Sequence, residues 1–370
     1  MSDDFKFGIE EEYFLVDAET KCVAVTRPEA FFAAAKKAIG PQIKGEMLQS
    51  QIECATVPHI DMALARAELK HLRQTLGAVA AQHGLAILAS GTHPTAIWES
   101  VHQTPTERYD IVMHDLQMIG QRNMLCGMHV HVELPDPDDR VNVMSRMLPY
   151  LPLLVALATS SPFWQSRSTG LKGYRLAAYD ELPRTGVPEL FRRQEDFDAY
   201  ISALTRAGVI EDSSFVWWAI RPSLQHKTLE LRAPDSCTRM EDSLAIAALY
   251  RSIARMLTSE PWLNWELTAV TRAIVVENKW RAQRYGVHGT FVADRGAETV
   301  AQNLERVIEA VTPHALALGC LGEIDRCRTI VGSGTSADTQ LAIFEACQKD
   351  ESRVHALSAV TDWIASATLQ

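Results

Sequence analysis

The sequence predicts an α+β fold, in which an antiparallel β-sheet has one open, polar face and helices packed on its other face. Two observations favour this arrangement. Polar and apolar residues alternate along the predicted strands, which is typical of strands that are buried on one face only. Predicted strands and helices also follow one another irregularly, whereas a parallel sheet needs a long crossover after each strand. No linker or repeat interrupts the chain, so we predict a single domain over residues 1–370.

The first predicted strand covers residues 6–17, with the sequence KFGIEEEYFLVD. Successive side chains of a strand point to opposite faces, so Glu10 and Glu12 share one face and Glu11 takes the other. Two carboxylates side by side repel each other, and a divalent cation is the simplest group that would offset this repulsion. A solvated edge strand is the alternative.

The rest of the N-terminal half alternates helices with strands. Gly40 and Pro41 end the first helix, and Asp61 is a typical N-cap for the second, which ends at Gly84. In chain order we predict a helix over 28–39, an extended segment over 46–56, a helix over 61–83, a strand over 85–90, a helix over 106–123, a strand over 124–134 and a mixed apolar helix to about residue 158.

Residues 171–188 are rich in Gly, Pro and Arg without a clean period, so we predict an ordered functional loop there. A helix over 195–207 and two strands, over 214–222 and 228–233, follow. The C-terminal third, from about residue 239 to 370, is predicted to be mainly helical. Its predicted helices cover 239–258, 262–282, 297–318 and 337–365, with a turn-rich segment over 319–336.

Composition excludes several classes of partner. The formal net charge of −10 argues against nucleic acid or an anionic membrane as the main partner. Seven cysteines without a C-x-x-C pair make a disulfide framework or a structural zinc site unexpected. Because neither a signal peptide nor a stretch long enough to span a bilayer is evident, we expect a cytoplasmic protein.

Four polar pairs at positions i and i+2 recur in otherwise apolar, β-rich segments. They are Glu10/Glu12, Gln51/Glu53, His129/His131 and Glu230/Arg232. If these strands belong to one sheet, the pairs converge on one cavity, where ligands must neutralise the charge. Carboxylates with one imidazole suit Mg²⁺ or Mn²⁺ better than zinc. Arg232 suggests that a phosphate also enters, although the chain has neither a P-loop nor a Rossmann glycine motif.

Segments spread over nearly the whole chain carry a family resemblance. They are GIEEEYFLVD (8–17), EMLQSQIECAT (46–56), GMHVHVELPD (127–136), GYRLAAYDELPRTGVP (173–188), WWAIRPS (217–223), TLELR (228–232) and GTSADTQL (334–341). In this order they resemble the carboxylate–amine ligases of the bacterial type-2 glutamate–cysteine ligase kind, which share a fold with glutamine synthetase. The resemblance implies one catalytic domain with a curved antiparallel sheet, and an ATP-dependent ligase that forms an amide through an acyl phosphate.

The resemblance also implies roles for individual residues. It implies one Mg²⁺ near the substrate, held by Glu12, Glu46 and Glu53, and a second on the ATP phosphates, held by Glu10, His129 and Glu230. It implies catalytic phosphate contacts from His131 and Arg232, and contacts to ATP or to the substrate carboxylate from Arg221, Arg175, Tyr179 and Arg184. The family name implies glutamate and cysteine as substrates, and a weak or different activity stays open. The loop over 171–188 is expected to act partly as a lid.

Alternatives remain at this stage. His129 could be a hydrogen-bonded core histidine, and Glu230 with Arg232 could form an exposed ion pair without function. A guanidino kinase would use a similar phosphate and metal site, and a nucleotide-binding protein would use it without turnover; an H-x-H metal hydrolase is more distant. Glu133 shares the face of the histidines, and whether it lies in the cavity stays open. We expect a homodimer from base rates alone, with small-molecule carboxylate and amine substrates.

Overall fold

The computed structural model describes residues 4–294, 296–349 and 352–370. Its main sheet has seven strands, all paired antiparallel. In chain order the strands are β1 (Phe7–Asp17), β2 (Ile43–Gly45), β3 (Gln51–Ala55), β4 (Leu85–Leu88), β5 (Met128–Glu133), β6 (Phe163–Trp164), β7 (Arg167–Ser168), β8 (Ile220–Pro222), β9 (Thr228–Leu231), β10 (Thr290–Ala293) and β11 (Gly296–Thr299). The main sheet has the order β2-β3-β1-β5-β9-β8, with β4 paired to the end of β1, while β6-β7 and β10-β11 are separate two-stranded sheets.

The helices surround this sheet and form most of the C-terminal third. They are α1 (Glu29–Ile39), α2 (Met62–Gln82), α3 (Glu107–Leu116), α4 (Met118–Gln121), α5 (Arg140–Met147), α6 (Leu151–Leu157), α7 (Tyr174–Tyr179), α8 (Gln194–Arg206), α9 (Met240–Ser259), α10 (Ala269–Tyr285), α11 (Val300–Ala317), α12 (Leu321–Ser333), α13 (Ser336–Gln348) and α14 (Arg353–Thr368). Within the described ranges, no helix combines the length and apolarity needed to cross a membrane.

Strand β1 lies in the middle of the sheet, between β3 and β5, and its successive side chains point to the two opposite faces. Its apolar residues, such as Ile9, are buried together with Val130 of β5 and Leu231 of β9 in the largest hydrophobic core. Helix α9 packs into the same core, and Leu244 and Ile253 are among its fully buried residues. The opposite face of these strands is polar. The predicted α+β fold, with helices on one face of an antiparallel sheet, is therefore confirmed.

The strand register aligns the polar residues in a row. Glu10 lies opposite His129 on β5, and Glu12 lies opposite Glu53 on β3. Further along the row, His131 lies opposite Glu230 on β9, and Glu230 lies opposite Arg221 on β8. Because directly opposed residues of antiparallel strands point to the same face, this register places the charged groups on one surface.

Several predicted boundaries were wrong. The segment over 46–56 is extended only from Gln51, because a turn after β2 occupies residues 46–50. Only residues 220–222 of the predicted 214–222 strand pair with β9, and residues 213–215 form a short 3-10 turn. The helix predicted over 106–123 breaks at Gln117, which has a φ of 49° and a left-handed backbone.

Two predicted irregular segments contain helices. The loop over 171–188 includes the short helix α7, and the turn-rich segment over 319–336 includes α12. The second prediction was wrong because it treated Gly322 and Gly332 as turn residues, whereas both lie within α12. The packing of Ile324 and Cys327 against the core outweighs the low helix propensity of these two glycines. Conversely, residues 262–268 precede α10 and are not helical.

Candidate active site

The polar face of the main sheet forms one wall of a cavity of about 410 Å³. All four polar pairs that the sequence singled out line it: Glu10/Glu12, Gln51/Glu53, His129/His131 and Glu230/Arg232. Residues of α3, α7 and the turn between β8 and β9 line the remaining walls. The sheet therefore brings side chains from four separate segments of the chain to one surface.

Two groups of three side chains could each hold a metal ion within the described part of the chain. They are Glu10, His129 and Glu230, and Glu12, Glu53 and His129; in each group the potential ligand atoms lie within 4.8 Å of one another. The first group is the set predicted for the ATP-bound Mg²⁺. The second contains two of the three residues predicted for the other ion. The third, Glu46, lines the cavity outside both groups.

The carboxylates of this cavity repel one another. Burial and the neighbouring Glu12 raise the pKa of Glu46 to about 7. Burial and Glu10 also raise the pKa of Glu53 well above its usual value, although Lys44 lies 3.2 Å from a Glu53 oxygen and opposes the shift. An added divalent cation would relieve this repulsion, so the charge of the site fits a metal ion.

The two histidines offer ring nitrogens to such an ion. In His129, Nδ1 lies 3.3 Å from Glu10, and in His131, Nδ1 is 2.8 Å from the Thr228 hydroxyl. The Nε2 atoms of both rings are buried and make no hydrogen bond within the described residues. Burial and the nearby Arg232 lower the pKa of His129, which favours the neutral ring that binds metals. Carboxylates with one imidazole form a donor set that suits Mg²⁺ or Mn²⁺.

Two guanidinium groups flank Glu230. Arg221 Nε donates to a Glu230 oxygen at 2.8 Å, and Arg232 forms an ion pair with the other oxygen. Burial alone would raise the pKa of Glu230, but Arg232 and Arg221 hold it below its usual range. Arg232 also donates to the Tyr179 hydroxyl at 3.3 Å, and its Nε is buried without a hydrogen-bond partner in the described ranges. This unpaired N–H is available to an anionic oxygen that enters the cavity.

The other predicted arginines differ in position. Arg175 lines the cavity, but its Nη1 donates to the backbone carbonyls of residues 232–234, so it also supports the end of β9. Arg184 lies outside the residues that line the cavity: its Nε donates to the Phe215 carbonyl at 3.0 Å and its guanidinium stacks on Trp217. The structure does not bring Arg184 together with the other predicted residues. Its predicted contact with ATP or substrate therefore has no geometric support.

The segment 171–188, which carries α7, is fastened to the inner face of α10. Arg272 donates to the carbonyls of residues 187 and 188, both at 2.8 Å. The buried Lys279 forms an ion pair with the more exposed Asp180, and the Gln283 carbonyl accepts hydrogen bonds from the amides of residues 172 and 173. The segment is thus anchored at its beginning, middle and end. A lid motion of this segment stays a prediction.

Sequence reasoning missed several residues that line the cavity. Tyr109 and Leu116 come from one face of α3, Lys44 from β2, and His226 from the turn between β8 and β9, where its ring lies 5.4 Å from that of His131. The apolar periodicity of α3 would look the same whether this helix face packed against the core or lined a cavity, so nothing in the sequence indicated that α3 forms this wall. Glu133, in contrast, is exposed near Lys6 and is not among the lining residues.

Comparisons of the sequence with known proteins identify the family of this chain. Residues 6–357 match the family described as Glutamate-cysteine ligase family 2 (GCS2). The chain belongs to glutamate–cysteine ligase family 2. A relative from Bradyrhizobium sp. (strain ORS 278), named "Putative glutamate--cysteine ligase 2", is 56% identical over 366 residues, which cover 99% of this chain and 88% of the relative. A protein of the same name from Rhodospirillum rubrum is 42% identical, covering 99% and 96%.

Two solved structures share the fold of this family member. A bifunctional glutathione synthetase from Pasteurella multocida superposes with a TM-score of 0.71 at 16% identity, covering 99% of this chain and 53% of that protein. A glutamate–cysteine ligase from Francisella tularensis, solved in complex with AMP, superposes with a TM-score of 0.63 at 12% identity, covering 99% and 90%. The fold is therefore the glutamine-synthetase-like one that the resemblance implied.

Proposed function

We propose that this protein is an ATP-dependent carboxylate–amine ligase that forms an amide bond through an acyl phosphate, with glutamate and cysteine as the first substrates to test. One observation carries the proposal: the acidic, imidazole and guanidinium groups of four strands line a single cavity and form two overlapping groups of metal ligands. Membership of glutamate–cysteine ligase family 2 supports it, as do relatives that carry a ligase name.

The chemistry explains why such a site is needed. A carboxylate is a poor electrophile, because its charge repels nucleophiles and oxide does not leave. A carboxylate oxygen attacks the γ-phosphorus of ATP and ADP departs, which leaves an acyl phosphate. The amine nitrogen then attacks the carbonyl carbon and loses a proton, and inorganic phosphate departs. The products are an amide, ADP and phosphate.

The side chains of the cavity have distinct tasks in this reaction. Arg232 has an unpaired buried N–H for an oxygen of the transferring phosphoryl group, and Arg221 adds fixed positive charge beside it. His131 contributes a second buried nitrogen, its Nε2, which makes no hydrogen bond in the described ranges. Tyr179 orients the Arg232 guanidinium through its hydroxyl. Water in the cavity would hydrolyse the acyl phosphate, so turnover requires that water be excluded while the substrates are bound.

Two Mg²⁺ ions fit the two groups of ligands, and Mn²⁺ would fit as well. Glu10, His129 and Glu230 would hold one, and Glu12 with Glu53 the other, with Glu46 of the same cavity as the third ligand that the resemblance implies. Bound there, the cations would neutralise the charge of the triphosphate and of the phosphoryl group in transfer. Glu230 already forms ion pairs with two arginines, so its binding to a metal ion would weaken one of these ion pairs.

A coupled assay of ADP release tests the proposal. The wild-type protein is screened with ATP, Mg²⁺ and pairs of amino acids, beginning with glutamate and cysteine, and with other carboxylates and amines. Glu53→Gln serves as the blank, and Glu133→Gln, outside the cavity, as the matched active control. We expect ADP and free phosphate in equal amounts only when both an acid and an amine are present.

Other outcomes would favour the rival functions. ADP without free phosphate, together with a phosphorylated guanidino compound, would identify a guanidino kinase. ATP binding without ADP release for any pair would identify a non-catalytic nucleotide-binding protein. We also propose a homodimer of single catalytic domains acting in the cytoplasm; its free cysteines are consistent with that compartment.

A further inference from the structure

The two ends of the cavity wall differ in how their carboxylates are neutralised. At the β8–β9 end, Glu230 lies between Arg221 and Arg232, whose side chains are only 16% and 13% exposed. Both arginines also donate to other groups, backbone carbonyls and a tyrosine hydroxyl. At the β2–β3 end, Glu53 pairs with Lys44, whose side chain is 54% exposed. Further hydrogen bonds hold the arginines in place, whereas a lysine on a flexible, half-exposed stem can move away.

Strand pairing places Lys44 at the end of a row of charges. It lies opposite Glu53 on β3, and Glu53 lies opposite Glu12 on β1, so the three side chains share one face. The Nζ atom of Lys44 is 3.2 Å from Oε1 of Glu53. Glu46 follows Lys44 by two residues and lines the same cavity. Within the described ranges, no other lysine or arginine forms an ion pair with any of these three carboxylates.

One ammonium group does not neutralise this end of the wall. Glu53 raises the pKa of Lys44, and Glu10 and Glu46 add to the effect, so several carboxylates attract the ammonium at once. The pKa of Glu53 nevertheless stays well above its usual value, because burial and the charge of Glu10 outweigh the opposing effect of Lys44. The carboxylates therefore still favour the binding of a stronger cation.

We propose that Lys44 is a resident counter-ion of the second ligand group, which a divalent cation displaces when it binds. The inference rests on the proposed function, because it concerns the metal ion that Glu12 and Glu53 would hold. A divalent cation bound to Glu53 repels the ammonium group beside it. Lys44 then turns into the solvent that its side chain already reaches. Binding of the metal ion and departure of Lys44 are thus one exchange, of two positive charges for one.

Binding of Mn²⁺ alone to the full chain, without nucleotide, tests this exchange. The EPR signal of free Mn²⁺ is measured in titrations of the wild type, Lys44→Gln and Lys44→Arg at low ionic strength. We expect Lys44→Gln to lower the dissociation constant about tenfold, because the metal ion no longer displaces a cation. Lys44→Arg keeps the charge and should bind Mn²⁺ no more tightly than the wild type.

A second lysine provides the matched control. Lys6 is exposed to a similar extent, and it pairs with Glu133 at 4.0 Å, outside the cavity. Lys6→Gln removes the same charge from the chain and should leave the dissociation constant for Mn²⁺ unchanged. In a Glu53→Gln background, Lys44 has lost its partner, so adding Lys44→Gln should change the remaining Mn²⁺ affinity by less than about twofold.

Thermal unfolding gives a second readout. Without metal, Lys44→Gln should unfold about 2 °C below the wild type, because the carboxylates have lost their counter-ion. A fixed concentration of Mn²⁺ should raise the midpoint of Lys44→Gln by more than it raises that of the wild type, because the variant binds the ion more tightly.

The sign of the change in affinity decides the outcome. Weaker Mn²⁺ binding by Lys44→Gln would mean that Lys44 orients Glu53 for the metal ion, and it would overturn the proposal. Equal affinities in the two proteins, or no Mn²⁺ binding by either, would also overturn it. Neither measurement uses turnover, so a protein that shows the expected exchange but releases no ADP would lose the proposed ligase activity and keep this role of Lys44.

Discussion

Strand β1 carries glutamates of two kinds on its opposite faces, a fully buried one on the inner face and half-buried ones on the outer face. On the inner face, Glu11 accepts hydrogen bonds from Arg73 at 2.6 and 2.8 Å, from Ser243 at 2.6 Å and from Tyr13 at 2.5 Å. Burial alone would raise the pKa of Glu11, but Arg73 holds it below its usual value. On the outer face, Glu10 contacts two histidines at 3.3 and 3.5 Å, and no guanidinium pairs with it within the described ranges.

This difference separates a charge that stabilises the fold from charges that are candidates for binding a ligand. Glu11 and Arg73 satisfy each other, and Arg73 also donates to the carbonyls of residues 237, 238 and 368, so the pair joins three segments of the chain. Glu12 and Glu53 instead face each other across the register with like charge. A folded protein retains such repulsion where a ligand removes it. The sequence alone does not show which of the three consecutive glutamates stabilises the fold, but their hydrogen-bond partners in the structure do.

The largest effect is expected at the outer face. Glu12→Gln should reduce ADP release at least about 1000-fold, equivalent to about 4 kcal/mol, because it removes a carboxylate from a ligand group. The thermal midpoint should not fall, since the change also removes a charge that raises the pKa of Glu46. Glu133→Gln is the control, and a Glu12→Gln rate close to that of this control would remove the metal assignment.

The inner face should show the reverse behaviour. Arg73→Met leaves Glu11 buried without its cation, and we expect the free energy of unfolding to fall by about 3–5 kcal/mol. Urea unfolding measures this change, and any loss of activity should follow the loss of folded protein. A second substitution, Glu11→Leu, should restore part of the stability. A loss below about 1 kcal/mol for Arg73→Met would mean that the ion pair is not structural.

Two buried histidines extend the comparison. His93 is fully paired: Nε2 is 2.9 Å from the Lys21 carbonyl, and Nδ1 accepts from the amides of Thr95 and Ala96. Burial lowers the pKa of His93 to about 4, so the unfolded chain binds the proton more tightly. Its contribution to stability is therefore complete above the unfolded pKa near 6.5 and is lost as the pH falls toward 4.

The measurement is urea unfolding at about pH 7 and about pH 4.5, for the wild type and for His93→Phe. The wild type should lose about 2–3 kcal/mol more than the variant between these two conditions. Equal losses in both proteins would show that His93 titrates normally in the folded state. His129, whose Nε2 makes no hydrogen bond within the described residues, is not expected to behave as a stabilising core histidine.

The smallest effect concerns magnesium without nucleotide. At ten times its dissociation constant, Mg²⁺ should raise the free energy of unfolding by about 1.4 kcal/mol, because it binds only the folded sheet. Thermal unfolding with and without Mg²⁺ measures this, with Glu53→Gln as the variant that should lose the effect. The same increase in both proteins would place the ion elsewhere.

The polar pairs of the site were predictable because strand geometry dictates them. Alternation along a strand assigns Glu10 and Glu12 to one face whatever the neighbouring strands are, and the same holds for His129 and His131. The order of the strands and the register that joins the pairs did not follow from the residues. The structure supplied both.

Other parts of the site were not predictable, for physical reasons. Glu46 follows β2 in a turn, so alternation along a strand does not apply to it. Arg184 looked like its neighbour Arg175, but a carbonyl and an aromatic ring engage its guanidinium away from the cavity. Lys44 reaches the site because β2 pairs with β3, which local sequence does not reveal. Tertiary contacts decided each of these positions.

The first ligand group has a consequence for protein synthesis. Its members stand at positions 10, 129 and 230, on β1, β5 and β9, and meet only when those strands pair. A nascent chain whose β9 is still inside the ribosome therefore holds two of the three ligands and lacks the site. The site proposed for the ATP-bound cation can therefore form only after β9 has been synthesised, whereas the members of the second group, Glu12, Glu53 and His129, all precede β9 in the chain.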